Sequence, residues 1–133
     1  MKDYKINIIY TSDVHGSLTP DNFSTKFKDQ KGLSRLKTYL ETINNDYLLL
    51  DNGDILQGSP LMNYWLANET HSLTPTSQVM NHLGYDYSTL GNHDFNYGKK
   101  ILDKFIKESN HEFLCCNVLY RKEYYCKPCA IKE

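Results

Sequence analysis

This chain has almost no excess charge, no basic block and no long apolar run. Lysine and arginine number 15 against 16 aspartate and glutamate, a formal net charge of −1. That balance removes the electrostatic argument for nucleic acid or an anionic membrane as a partner. The apolar stretch nearest the N-terminus, Ile6 to Tyr10, ends at once in polar Thr11-Ser12-Asp13. A secretory signal needs a longer apolar region and a small-residue cleavage site, and a membrane span needs about 20 apolar residues. Neither pattern is present, so a cytoplasmic setting is the default expectation. Cysteine is sparse and confined to the last fifth of the chain, at Cys115, Cys116, Cys126 and Cys129. Cys126-Lys127-Pro128-Cys129 has the spacing of a zinc or dithiol site. Neighbouring residues on a strand point to opposite faces, so only one of Cys115 and Cys116 can face that pair. Free thiols packed on strands in a reducing compartment are the plain alternative. Repeats, low-complexity runs and domain linkers are also missing.

What remains is an ordinary globular composition. The 133 residues are 40% hydrophobic and 23% charged, enough to bury a core in one domain. Lys5 to Thr11 reads as a first strand ending at Asp13. Thr19 to Lys31, with Pro20, reads as a loop. Leu33, Leu36, Leu40 and Ile43 recur at helical spacing between Gly32 and Asn44-Asn45. Tyr47 to Leu50 is a short strand leading into Asp51-Asn52-Gly53-Asp54. Pro60 to Ala67 and Thr76 to Leu83 read as helices, the latter stopped by Gly84. Tyr85 to Leu90 is a strand leading into Gly91-Asn92-His93-Asp94. Ile101, Leu102, Phe105 and Ile106 mark a further helix, Glu112 to Val118 a strand, and Tyr124 to Ile131 a last extended segment beyond Arg121-Lys122-Glu123. This alternation predicts an α/β fold with a mostly parallel sheet flanked by helices.

Asp13-Val14-His15, Gly53-Asp54 and Gly91-Asn92-His93-Asp94 each fall where a predicted strand gives way to a loop. In parallel sheets that edge is where ligands bind. Asp13 and His15, one residue apart in an extended segment, can face one ion, and Gly16 then turns the chain away. Asp54 has an oxygen for each of two ions, Gly53 allows close approach, and Asn92 offers a neutral amide oxygen to the second ion. His93 is placed to donate to a phosphoryl oxygen or a leaving group. Two ions roughly 3.5–4 Å apart in such a site activate a water and stabilise developing charge on phosphorus. Each residue also has a plain reading: Asp13, Asp54 and Asn92 as turn or cap residues, His15 and His93 as ordinary surface or hydrogen-bonded histidines. His71, His82 and His111 have no motif around them and read as surface or helix positions.

At these residues the chain resembles the calcineurin-like metallophosphoesterases, and within them the 5′-nucleotidase and 2′,3′-cyclic-nucleotide phosphodiesterase group. The resemblance rests on Thr11-Ser12-Asp13-Val14-His15-Gly16, on Asp51 through Pro60, and on the run Asn81 through Gly98. Lys127-Pro128 and Ile131-Lys132-Glu133, following Asn117-Val118, extend it over nearly the whole chain. It implies the N-terminal half of an αββα sandwich, so that residues 1–133 form the N-terminal portion of a catalytic domain. It implies two divalent ions (manganese, zinc, iron or similar), with Asp13 and His15 on the first, Asp54 bridging and Asn92 on the second. His93 would be the phosphate-contacting catalytic histidine, and Asp94 would support the metal ligands from behind. The implied substrate is a nucleotide or another phosphate ester, cleaved by metal-activated water.

The chain departs from the group in three places. Asp94 stands where the group usually has Glu, and Asn96 where many 5′-nucleotidases have the Asp that orients the catalytic histidine. The Asn-Tyr-Gly version resembles the cyclic-nucleotide phosphodiesterase branch. The sequence also contains no Gly-His and no His-X-His, the motifs from which the family draws three further metal-binding histidines. It holds no second domain of the kind that grips the nucleoside base between aromatic rings. A weakly active or inactive fragment is therefore expected, with a non-catalytic remnant binding metal or a partner as the alternative, and a related hydrolase of other phosphate or sulfate esters as a third reading.

Overall fold

Four parallel strands in the order β1-β2-β3-β4 form the frame of the protein, seen in a computed structural model that describes residues 5–20 and 31–132. The predicted loop from Thr19 to Lys31 lies mostly outside the described residues. Strand β1 is Asn7–Thr11 and β2 is Tyr47–Asp51, paired from Asn7 with Tyr47 to Thr11 with Asp51. Strand β3 is only Tyr87–Ser88 and β4 only Glu112–Phe113. Both are shorter than their apolar patterns predict. Asp86 at the start of β3 uses its carboxylate to accept from the Leu49 N–H at 2.8 Å, and the chain beyond Ser88 turns into the loops of the sheet's carboxyl edge.

The crossovers are helical. Helix α1 (Ser34–Leu40) joins β1 to β2, and α2 (Pro60–Asn68) with α3 (Pro75–Leu83) joins β2 to β3. Helix α4 (Lys99–Glu108) leads from β3 to β4. Pro60 and Pro75 each occupy the first helical turn, where a missing N–H costs nothing. Ser59 caps α2 by accepting from the Met62 N–H at 3.2 Å. Glu108 at the end of α4 accepts from both the N–H and the hydroxyl of Thr74, at 2.8 and 2.7 Å, tying α4 to the start of α3.

The helices cover one sheet face. Leu49, Ile55, Leu56, Met62, Met80, Leu102 and Phe105 form its fully buried centre. Leu33 and Leu40 are buried at the two ends of the α1 stripe, whereas Leu36 is half-buried. The opposite face is open: Ile6, Ile8 and Tyr10 are 69%, 56% and 70% exposed.

The C-terminal region differs most from the sequence reading. The strand expected over Glu112 to Val118 stops at Phe113, with one further bridge from Leu114 to Lys127. Leu119–Tyr120 (β5) and Glu123–Tyr124 (β6) then form an antiparallel hairpin. Arg121 and Lys122 turn it with φ of 53° and 73°, the left-handed pair that matches the twist of a two-residue hairpin. The Arg121-Lys122-Glu123 segment is therefore a hairpin turn and the start of its second strand; beyond Tyr124 the described residues bend, with one bridge at Lys127. All four cysteines are free; Cys115 is buried, Cys126 half-buried, and Cys116 and Cys129 exposed. Burial pushes the Cys126 thiol up to about 11, which suits an inert packing residue. Packing of all four thiols on strands does not hold, since two of them face solvent.

Candidate active site at the carboxyl edge of the sheet

Parallel pairing delivers all three motif loops to one edge, and the loops go on pairing after the strands end. Asp13 N–H donates to the Gly53 carbonyl at 3.0 Å, His15 N–H to Asp54 at 2.9 Å and Gly16 N–H to Ile55 at 2.7 Å. The loop after β1 is thereby zipped to the loop after β2. One ligand atom each from Asp13, His15 and Asp54 lies within 4.8 Å of the others. His15 Nε2 is 4.0 Å from Asp13 Oδ1. Asp13 is exposed, His15 half-buried and Asp54 buried, so the cluster opens to solvent on one side.

The local backbone is not the extended segment that the one-residue spacing suggests. Asp13, His15 and Asp54 have φ of 55°, 51° and 55°. Left-handed geometry is uncommon for non-glycine residues and collects at functional sites, at a cost of about 1–3 kcal/mol each. Among the described residues five non-glycine positions adopt it; apart from the hairpin turn, they are these three. Glycines make the crowding possible. A Cβ at Gly91 would sit 2.2 Å from Asp54 Oδ1, and one at Gly53 would sit 2.3 Å from the Gly91 nitrogen.

Gly91 to Phe95 enters from β3 as a single 3-10 turn, Asn92–Phe95. Asn92 opens it and is exposed. His93 donates its backbone N–H to Asp54 Oδ1 at 2.6 Å, and its ring packs edge-on to His15 with centroids 5.2 Å apart. Asp94 is fully buried behind them. Its carboxylate accepts from the N–H groups of Asp54, Ile55, Leu56 and Gly91 at 2.9–3.0 Å. It holds the Asp54 loop in place without touching the open side of the cluster.

The imidazoles are held as well. His15 Nδ1 lies 2.8 Å from the Gln57 carbonyl oxygen, which can only accept, so Nδ1 carries a hydrogen and Nε2 is the nitrogen that faces Asp13. A histidine held through Nδ1–H in this way has Nε2 available for a metal ion. His93 Nδ1 lies 2.9 Å from Asn96 Nδ2, which also donates to Gln57 Oε1 at 2.8 Å. Gln57 lies in the Asp51–Pro60 run that carries the resemblance, but neither its residue type nor its spacing assigns it a role in the site. Two carboxylates, an imidazole and a nearby amide suit a hard or borderline divalent cation such as manganese, iron or zinc.

A buried polar chain lies just beneath the edge. Thr11 Oγ1 donates to Asp51 Oδ1 and lies equally close, at 2.8 Å, to the Tyr85 hydroxyl. Burial pushes the Asp51 carboxyl up to about 7 despite the hydrogen bonds from Thr11 and Gly53. Farther along, Ser88 Oγ is 2.8 Å from His111 Nε2. His111 is only 9% exposed, which corrects its reading as a surface or helix position, and burial lowers its pKa to about 4. His71 and His82 are exposed as expected.

Comparison with known proteins agrees with this layout. The family model of the calcineurin-like phosphoesterases matches residues 6–129. The trifunctional nucleotide phosphoesterase protein YfkN of Bacillus subtilis (strain 168) is 36% identical over 85% of this chain and 8% of its own length. A 2′,3′-cyclic-nucleotide 2′-phosphodiesterase/3′-nucleotidase of Haemophilus influenzae is 31% identical over 98% of this chain and 21% of its own. A Staphylococcus aureus crystal structure described as a candidate 5′-nucleotidase superposes with a TM-score of 0.84 at 33% identity, covering 91% of this chain and 24% of that one. The chain thus spans less than a quarter of the length of each of these three. A parallel sheet, three motif loops meeting at its carboxyl edge and a family match over almost every described residue agree: the chain belongs to the calcineurin-like phosphoesterase family.

Proposed function

We propose that this chain is the N-terminal portion, residues 1–133, of a catalytic domain that hydrolyses nucleotides, of the 2′,3′-cyclic-nucleotide phosphodiesterase or 5′-nucleotidase type. The observation that carries the reading is the convergence of Asp13, His15 and Asp54 ligand atoms within 4.8 Å, at the edge where a parallel sheet presents ligands. In this reading Asp13, His15 and Asp54 would hold one divalent ion, and Asp54 together with the Asn92 amide would hold a second. Bound ions of this kind supply an activated water and neutralise the phosphoryl oxygens. His93 stands beside His15 with Nε2 free of protein partners among the described residues, placed to donate to a phosphoryl or leaving-group oxygen. Asp94 supports Asp54 through the backbone. The amide at Asn96, and the Haemophilus relative's name, favour a cyclic nucleotide as substrate.

The ligand set is short. No Gly-His or His-X-His occurs in the 133 residues, so water would complete each ion's coordination and leave it loosely held. Purified residues 1–133 with excess manganese should bind the ion measurably by calorimetry, and Asp54→Ala should abolish that binding. Hydrolysis of a 2′,3′-cyclic nucleotide by the same chain should be close to background. In a longer polypeptide that supplies the missing histidines, His93→Ala should lower the rate by about 10²–10³ while metal content stays intact. Metal loss in that variant would make His93 a ligand. Robust turnover by residues 1–133, abolished by Asp54→Ala, would overturn the incomplete-site reading.

A further inference from the structure

The site contains two imidazoles with opposite tasks, one needed as a bare nitrogen and the other as a donor. Both are tied to the same residue through different atoms. We propose that Gln57 is a positioning residue that sets the two tautomers in opposition, with the His15 proton on Nδ1 and the His93 proton on Nε2.

For His15 the partner is the Gln57 main-chain carbonyl at 2.8 Å. A carbonyl only accepts, so Nδ1 must carry hydrogen and Nε2 is left as a lone pair. For His93 the link runs through two amides. Gln57 Oε1 accepts one hydrogen of Asn96 Nδ2 at 2.8 Å, and the second hydrogen of the same Nδ2 points at His93 Nδ1, 2.9 Å away. Nδ1 is then the acceptor and the proton resides on Nε2.

The mount is stiff. Gln57 follows Ile55 and Leu56, whose N–H groups are gripped by buried Asp94. It precedes Gly58, where a Cβ would meet His15 Cβ at 2.9 Å. Asn96 is fixed by its own N–H, which donates to the His93 carbonyl at 3.1 Å. A carboxylate at position 96 would have the reverse effect, accepting from Nδ1–H. The amide here thus pairs with Gln57 as a unit. The consequence for catalysis rests on the proposed roles of His15 and His93; the tautomers themselves do not.

Long-range proton–nitrogen NMR of ¹⁵N-labelled residues 1–133, metal-free and at pH 8.5, separates the two neutral tautomers. Wild-type protein should show opposite patterns for the two rings, assigned through His93→Ala. Gln57→Leu should leave the His15 pattern intact, because its partner is main chain, and drive His93 into a mixture. Gln57→Glu, which keeps an acceptor oxygen, should restore the His93 pattern. Asn96→Asp should move the His93 proton to Nδ1, and gives an answer even if Gln57→Leu does not fold. An unchanged His93 pattern in folded Gln57→Leu, or a retained Nε2–H in Asn96→Asp, would overturn the proposal. Failure of the functional reading would appear elsewhere: a longer enzyme whose hydrolysis ignores His93→Ala would refute the catalytic role while these patterns stand.

Discussion

The two faces of the sheet are built from the same strands and yet differ in almost every physical respect. On the helix-covered face Leu49 and Phe105 are fully buried, and the edge above it is pinned by the four N–H groups that Asp94 accepts. On the open face Ile8 and Tyr10 stand more than half exposed. Tyr10 lines a shallow groove with Ile6, Leu48, Leu50, Tyr87 and Leu114. The difference teaches that the candidate site depends on one face alone: every element positioning Asp13, His15, Asp54 and His93 is anchored from the helical side or from the loops themselves.

The contrast can be broken most forcefully in the covered core. Phe105→Ala removes a fully buried ring that packs edge-on to Phe113 at 5.3 Å, and should cost about 3–5 kcal/mol in chemical denaturation. A loss below about 1 kcal/mol would show that α4 is not tightly seated. Next comes the clamp beneath the site. Asp94→Asn replaces an acceptor by an amide NH₂ facing backbone N–H groups, and should lower stability by about 2–3 kcal/mol. It should also weaken manganese binding although Asp94 lies outside the ligand cluster. Unaltered affinity in a destabilised variant would confine Asp94 to folding.

The pH dependence of stability sharpens the comparison further. Buried His111 has a pKa of about 4, below its ordinary 6.5, so its stabilising contribution is present above pH 6.5 and is lost as pH falls toward 4. Buried Asp51 is raised from 3.8 to about 7, so its contribution is present below pH 3.8 and is lost as pH rises through 7. Between pH 4 and 6.5 the two slopes oppose each other, and the metal-free protein should have a nearly flat stability profile. Asp51→Asn can keep its oxygen on the Gly53 N–H and turn its NH₂ to donate to the Thr11 hydroxyl, and it removes one slope. Its stability should then climb with pH across that window, by up to about 3 kcal/mol. A profile parallel to wild type would mean that Asp51 does not titrate there.

The smallest stability effect belongs to the open face. Ile8→Thr with Tyr10→Thr should change unfolding free energy by less than about 0.5 kcal/mol in chemical denaturation. A large stability loss would show that these side chains are packed.

Legibility in the sequence followed distance along the chain. Asp13, His15 and Asp54 were readable as partners because strand–helix alternation forces a parallel sheet, and a parallel sheet brings its carboxyl ends to one edge. Helices α2, α3 and α4 were readable for a similar reason: spacing, Pro60, Pro75 and Gly84 are local signals. The left-handed backbone at Asp13 and His15 was not, because nothing in a two-residue spacing reports φ. Gln57 and His111 were missed because their partners lie 42 and 23 residues away, with no periodic pattern linking them. The C-terminal hairpin was missed because Arg121-Lys122 lacks the Asn-Gly or Asp-Gly pair that usually announces such a turn.

The sequence by itself therefore determined the class of fold, the edge on which the chemistry gathers and the residue types available there, since all three follow from local periodicity and from the geometry of parallel strands. Only the tertiary structure decided which groups hold each histidine ring, which four N–H groups the Asp94 carboxylate grips, and which sheet face is left uncovered. Those outcomes depend on contacts between segments tens of residues apart, where a change of a few ångströms exchanges a hydrogen-bond donor for a void.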